Sequence, residues 1–296
     1  MNRGVIMALS AYIFWGLHPI YWKLLKHIPS VEILAHRILW SLIFFVIIIS
    51  FRKEWKGLKS KFRNNNKFVL LLPAFLIGSN WALYIWAVNA DFIIETSLGY
   101  FICPLVSVFL GVFFLKEKLR IIQWISVIIA AIGVLIMTFV YGQFPWIAIY
   151  LAATWGLYGL LRKKSPLSAV EGLTIETALL SIPVMIYLTY LKFSGDSSFL
   201  VDTQSSLLLV GTGIISGLPL IVFIVGSRLI NLSLIGILQY VYPILILLIG
   251  VFIYHEPLIE SRIVGLIFIW IAVIVYSADE IIFRKNTRKI SPFTKQ

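Results

Sequence analysis

The chain has 296 residues, of which 60% are hydrophobic and only 13% charged, with a mean hydropathy of +0.96 and a net charge of +12. A soluble domain carries about 25% charged residues, enough to cover its surface. This composition excludes a soluble enzyme and a disordered chain, and with Cys103 as the single cysteine it also excludes an intramolecular disulfide or a cysteine-rich metal site.

The apolar residues fall into ten continuous stretches at approximately 4–25, 31–51, 68–89, 95–115, 121–140, 144–161, 168–191, 206–226, 232–254 and 262–282. A hydrocarbon core of roughly 30 Å takes about 20 helical residues to cross. Outer-membrane strands would alternate over about ten residues, so ten transmembrane helices are expected. The first stretch is too long for a signal-peptide core and is expected to be a retained helix. The longest connection, Arg52 to Lys67, leaves no room for a soluble domain between spans.

Charge placement sets the expected topology. With the N-terminus inside, inner segments hold 20 of the Lys and Arg residues and outer segments hold Lys23, Lys26, Lys192 and Arg262. Arg37 lies within a span. This bias follows the positive-inside rule through all ten helices, so the basic excess reads as topology and not as a nucleic-acid surface. The 52–67 connection is expected to meet anionic lipid.

The halves repeat at one offset. Pro104, Gly111, Glu117 and Leu119 recur 139 residues later as Pro243, Gly250, Glu256 and Leu258, and Gly78 recurs as Gly217. Trp15-Gly16-Leu17 recurs as Trp155-Gly156-Leu157 at 140. The expected organisation is a first repeat at 1–140, a second at 141–283 and a basic cytoplasmic tail at 284–296. Five spans per copy is odd, so the second copy enters the membrane inverted, as in many secondary transporters. A duplication with structural meaning only is the other reading.

Prolines interrupt several spans: Pro19, Pro73, Pro104, Pro183, Pro219 and Pro243. Each removes a helix hydrogen bond. Gly99 with Pro104 in span 4, and Gly236 with Pro243 in span 9, are candidate hinges around a central cavity; ordinary kinking is the alternative.

Three charges lie well inside spans: Arg37, Glu171 and Glu176. Such groups are costly and usually face a cavity or a partner. Glu176, near the middle of span 7, is the candidate proton-coupling carboxylate, or else a structural hydrogen-bond donor. Glu171 is expected to anchor to Arg162, Lys163 or Lys164. Arg37 either holds an anionic group or locks Glu176, Asp91 or Glu95. His18 precedes Pro19 and is either a ligand or a structural donor. Among the aromatics, Trp15, Trp81, Tyr84, Tyr100, Tyr158 and Tyr240 are candidate walls, with Asn80 and Gln239 supplying polarity; packing is the alternative for each one. Aromatic walls with few polar groups suit a small organic solute.

No phosphate-binding glycine loop and no zinc-protease histidine pair is present, so no cofactor or metal is expected.

Several segments carry a family resemblance. They include Tyr12 to Lys23, His36-Arg37 with Trp40-Ser41, Asn80-Trp81, Ile85 to Asn89, Glu95 to Ile102 with Pro104-Leu105, Tyr158-Gly159-Leu160 with Arg162-Lys163-Lys164, Ile175-Glu176-Thr177, and Gln239-Tyr240 before Pro243. The sequence resembles the RarD-type permeases of the EamA branch of the drug/metabolite transporter superfamily. The resemblance implies ten helices in two inverted five-helix repeats, cytoplasmic termini in a bacterial inner membrane, a central cavity, and spans 5 and 10 at the periphery. The expected function is secondary export of an amino acid, metabolite or drug by a monomer or homodimer. A facilitative channel, a lipid scramblase and an intramembrane lipid enzyme are the competing classes.

Overall fold

The computed structural model describes residues 3–90, 92–255 and 260–290. Asp91, Glu256 and Leu258, together with the side chains of Asn89 and Arg262 and those of the basic tail, lie outside the described residues.

The described chain is helical, in the order α1 (Arg3–Gly16), α2 (His18–Leu24), α3 (Ser30–Phe51), α4 (Trp55–Asn64), α5 (Lys67–Asn89), α6 (Ile93–Leu115), α7 (Ile121–Tyr141), α8 (Trp146–Lys164), α9 (Ala169–Ser194), α10 (Thr203–Leu229), α11 (Leu232–Gln239), α12 (Val241–Phe252) and α13 (Glu260–Ile290). Nine stretches among the described residues are long and apolar enough to cross a membrane. The tenth expected span is α8. It ends in Arg162, Lys163 and Lys164 and buries ten of its residues, packed against α5 and α6. A helix shielded by protein does not need a uniformly apolar surface.

Local chemistry sets the boundaries. Asp202 caps α10 by accepting from the Gln204 and Ser205 amides. Ser168 and Glu171 form a reciprocal capping box on α9. Gly142 and Gly195 end α7 and α9 at φ +77 and +78, a conformation that strains a side chain. The expected break at Pro19 is present: α1 stops at Gly16 and α2 restarts at His18 with the proline in its first turn. Span 9 is interrupted at Tyr240, between α11 and α12. Span 4 is not interrupted, since α6 continues through Pro104. The two candidate hinges therefore differ.

One element was not expected. The 52–67 connection contains a helix, α4, with Leu58 buried and Lys61 turned to Glu171 at 2.8 Å. Lys61 is thus the anchor of Glu171, in place of Arg162, Lys163 or Lys164.

The pairing of spans has a regular form. Counting α1–α2 as span 1 and α11–α12 as span 9, span 1 packs on spans 8 and 9, and span 6 packs on spans 3 and 4. Span 2 packs on 7 and 8, and span 7 on 2 and 3. Spans 4 and 9 pack on each other, as do 5 and 10. Exchanging each span with the one five places on returns these main contacts, while smaller ones between spans 6 and 8, 7 and 8, and 3 and 4 lack counterparts of that size. Equivalent glycines do equivalent work: a methyl on Gly78 would fall 2.4 Å from Leu180 of α9, and one on Gly217 would fall 2.9 Å from Phe44 of α3.

The side chains turned to hydrocarbon are large and apolar, among them Phe139, Ile186 and Phe193. Spans 5 and 10 close on each other through Gly133 and Gly265, where a methyl on either would meet the other's carbonyl at under 3 Å.

Candidate functional site

A cavity of about 720 Å³ lies inside the bundle. Its floor is an aromatic cluster. Trp15 and Trp155, the repeat-related pair, meet edge to face with centroids 5.5 Å apart, and Tyr12 and Phe223 pack against Trp15 at 5.7 and 5.5 Å. Its walls carry Trp81 and Tyr84 of α5, Tyr100 of α6 and Tyr242 of α12. The Tyr100 and Tyr242 rings pack edge to face at 5.0 Å.

Polar groups are few and specific. The Arg37 guanidinium lies over the Trp81 ring, 4.2 Å from its centroid. Asn80 borders the cavity while its Nδ2 donates to the Leu151 carbonyl and to Thr154 Oγ1, both at 2.9 Å, tying α5 to α8. Nε2 of His18 lies 3.1 Å from the Ile215 carbonyl, so its proton is placed on Nε2. Gln239 is buried against the cavity, and its Oε1 has no hydrogen-bond partner.

Of the expected residues, the structure brings Trp15, His18, Arg37, Asn80, Trp81, Tyr84, Gly99, Tyr100, Gln239 and Pro243 to this cavity. Tyr158 and Tyr240 are not on its lining. Both are fully buried: Tyr158 Oη donates to Glu176 at 3.0 Å, and Tyr240 Oη donates to the Phe101 carbonyl at 3.3 Å. Gly236 is a close-packing position, where a methyl would sit 2.6 Å from the Pro104 carbonyl. Glu176 is not an isolated carboxylate. Its Oε1 lies 3.4 Å from Arg162 Nε, away from the cavity.

Arg37 locks neither Glu176 nor Glu95. Glu95 accepts instead from the Ile147 amide and from Tyr141 Oη. Trp22, Ile246 and Val251 also line the cavity and were not foreseen. Helical spacing from His18 and Gln239 was the available signal.

The cavity is confined to one side. The helices that line it, all but α4 and α9, do so from their middle or from the half away from the Arg52–Lys67 connection. The other half, the basic end, is closed by polar ties. Glu117, in the α6–α7 connection, accepts from the Leu232 and Ser233 amides at 2.7 and 2.9 Å and from Ser233 Oγ at 2.7 Å, capping α11. Gly111 leaves the room for it, since a methyl there would lie 2.6 Å from the carboxylate.

Arg228 donates to the carbonyls of Arg162 and Leu167. Lys163 donates to those of Ser227 and Ile230. A smaller cleft of about 330 Å³ at the basic end, beside Arg120 and Glu280, shares no lining residue with the cavity.

A model of the EamA-like transporter family matches residues 2–139 and again 145–278. The chain is 43% identical to the uncharacterized transporter YojE of Bacillus subtilis, over 97% of both proteins. It is 40% identical to protein RarD of Escherichia coli, over 97% of this chain and 98% of that one. It is 29% identical to the chloramphenicol-sensitive protein RarD of Pseudomonas aeruginosa, over 97% and 98%. A crystal structure 17% identical in sequence superposes with a TM-score of 0.71, covering 94% of this chain and 98% of that one, and shares its fold. An all-helical membrane protein of this kind is a transporter and not an enzyme, and the chain belongs to the EamA-like transporter family as a RarD-type permease of the drug/metabolite transporter superfamily.

Proposed function

We propose that the protein is an inner-membrane secondary carrier of a small organic solute, working by alternating access in the direction of export, with both termini in the cytoplasm. One observation carries the mechanism: the cavity lining lies in the middle of the bundle and in the half away from the basic end, while hydrogen bonds between connections and helix ends tie the basic end together. Such ties can be broken and remade at modest net cost, because water replaces the partners lost. A continuous pore for a channel is not what this arrangement offers.

The span pairing and the two family matches support inverted repeats at 1–140 and 141–283. Two similar halves of opposite orientation give a second conformation nearly for free: each adopts the shape the other holds, and the open side changes. With the basic end facing the cytoplasm by the positive-inside rule, the present state is outward-facing.

The test needs no known substrate. In a Cys103→Ala background, Ile246→Cys places a thiol on the cavity wall. A membrane-impermeant maleimide is expected to modify it rapidly from the outside and slowly from the cytoplasmic side. Modification from one face only, over any length of exposure, overturns alternating access.

A further inference from the structure

We propose that the solute is an organic anion, a carboxylate attached to a flat apolar body, and that Arg37 binds its charge. This deepens the transport reading and rests on it for the word solute; the binding site itself stands on the cavity alone.

Among the described residues lining the cavity, Arg37 is the one formal charge, and no Asp or Glu faces it there. Among the described residues, the carboxylates in the surrounding helices have partners of their own. Glu176 lies on Arg162, Glu95 on Ile147 and Tyr141, and Glu32 on Ser197 and Ser198. Arg37 Nε is buried with no hydrogen-bond partner, and the guanidinium lies over the face of Trp81 with Tyr84, Tyr100 and Tyr242 nearby. A cation held inside a membrane protein without a carboxylate is costly unless something pairs with it. A fork of unused donors beside a volume of about 720 Å³ is matched in shape by a planar carboxylate.

The rest of the wall selects the body. Trp15, Trp81, Trp155, Tyr84 and Tyr100 present ring faces and edges, which suit a flat apolar group. A cationic solute finds no carboxylate among the described residues of the lining and meets Arg37 at close range, so amines are rejected by repulsion as well as by lack of a partner.

The experiment uses the purified full-length protein and three probes of one shape: phenylacetate, phenylacetamide and 2-phenylethylamine. Binding is read by tryptophan fluorescence and by the shift in melting temperature. Phenylacetate is expected to bind at least ten-fold more tightly than the amide, with no binding by the amine. In Arg37→Gln the acid loses that advantage and binds no better than the amide, while Arg37→Lys keeps part of it. Equal or tighter binding of the amine, unchanged acid binding in Arg37→Gln, or no binding of any probe overturns the proposal.

The wild-type ranking holds as a test even if a variant fails to fold. Failure here is distinct from failure of the carrier reading. A protein that exposes Ile246→Cys to both faces yet prefers the amine is a carrier of something else. One that binds phenylacetate but exposes the cavity to one face only has an anion site and is no carrier.

Discussion

The Arg162–Glu176 pair gives the sharpest energetic prediction. Arg162 is among the most buried large side chains, at 1% exposure, and Glu176 is at 2%. The guanidinium lies so close to α9 that a methyl on Gly172 would fall 1.8 Å from Nη1, so it has nowhere else to go. At the 3.4 Å separation of Nε and Oε1, Coulomb attraction at an effective dielectric of about 20 is ~5 kcal/mol. Removing one member of a buried pair typically costs about 3–5 kcal/mol, because the remaining charge is stranded. Arg162 keeps two carbonyl acceptors, Ser168 and Ala169, each at 3.1 Å. Glu176→Gln is therefore placed at the lower end, a loss of about 3 kcal/mol. The double variant Arg162→Met/Glu176→Leu removes both charges and is expected to recover most of that loss, since apolar replacements of buried pairs are often neutral. Unfolding of Glu176→Gln, of the singles Arg162→Met and Glu176→Leu and of the double variant in a mixed detergent and SDS titration, followed by tryptophan fluorescence, completes the cycle. A Glu176→Gln midpoint equal to wild type, or a double variant worse than the sum of the singles, would refute the pairing.

Removing the carboxylate in Glu117→Ala strips the cap from α11, with a cost of about 1–2 kcal/mol; a thiol at Ser233→Cys should then gain maleimide reactivity from the cytoplasmic side. Gly213→Ala would push a methyl to 2.4 Å from the Trp40 backbone where α10 crosses α3, and overpacking of this kind costs about 1–3 kcal/mol. Gly159→Ala is the control: its methyl meets nothing closer than 3.9 Å, so melting should stay level or rise. Asp202 sits outside the spans, and the Ser205 and Gln204 hydrogen bonds hold its carboxyl below the ordinary aspartate range. A depressed folded-state pKa stabilises above the unfolded value and is lost as pH falls through the folded one. Asp202→Asn should accordingly lower stability at neutral pH and flatten its decline on acidification, as read by melting temperature between pH 7 and pH 3.

How much of this was legible in the sequence depends on what lipid hides. The ten spans, the break at Pro19 and the cavity positions of Trp15, Arg37, Trp81 and Gln239 follow from apolar runs and from isolated polar residues. The direction of each apolar face does not, because hydrocarbon and protein interior are equally apolar and no periodicity separates them. That is why Tyr158 and Tyr240 could be placed within spans but not assigned to core or cavity. Arg162 looked like part of a basic terminal cluster with Lys163 and Lys164; only the fold turns it inward to Glu176, one turn of α9 beyond Gly172. Lys61 likewise looked like one of seven loop cations until α4 carried it onto Glu171. Glu117 was visible as a repeat position, but its work on the α11 amides depends on a contact 115 residues away in sequence.

The most direct measurement is a pair of spin-label distances on one protein in liposomes: Lys118→Cys with Lys164→Cys at the basic end, and Lys26→Cys with Phe144→Cys at the other, each in the Cys103→Ala background. Alternating access predicts two populations at each end, with the basic-end distance long when the opposite distance is short, and a solute that shifts one pair shifting the other in the reverse sense. A single unchanging distance at both ends, or two ends that widen together, would contradict it.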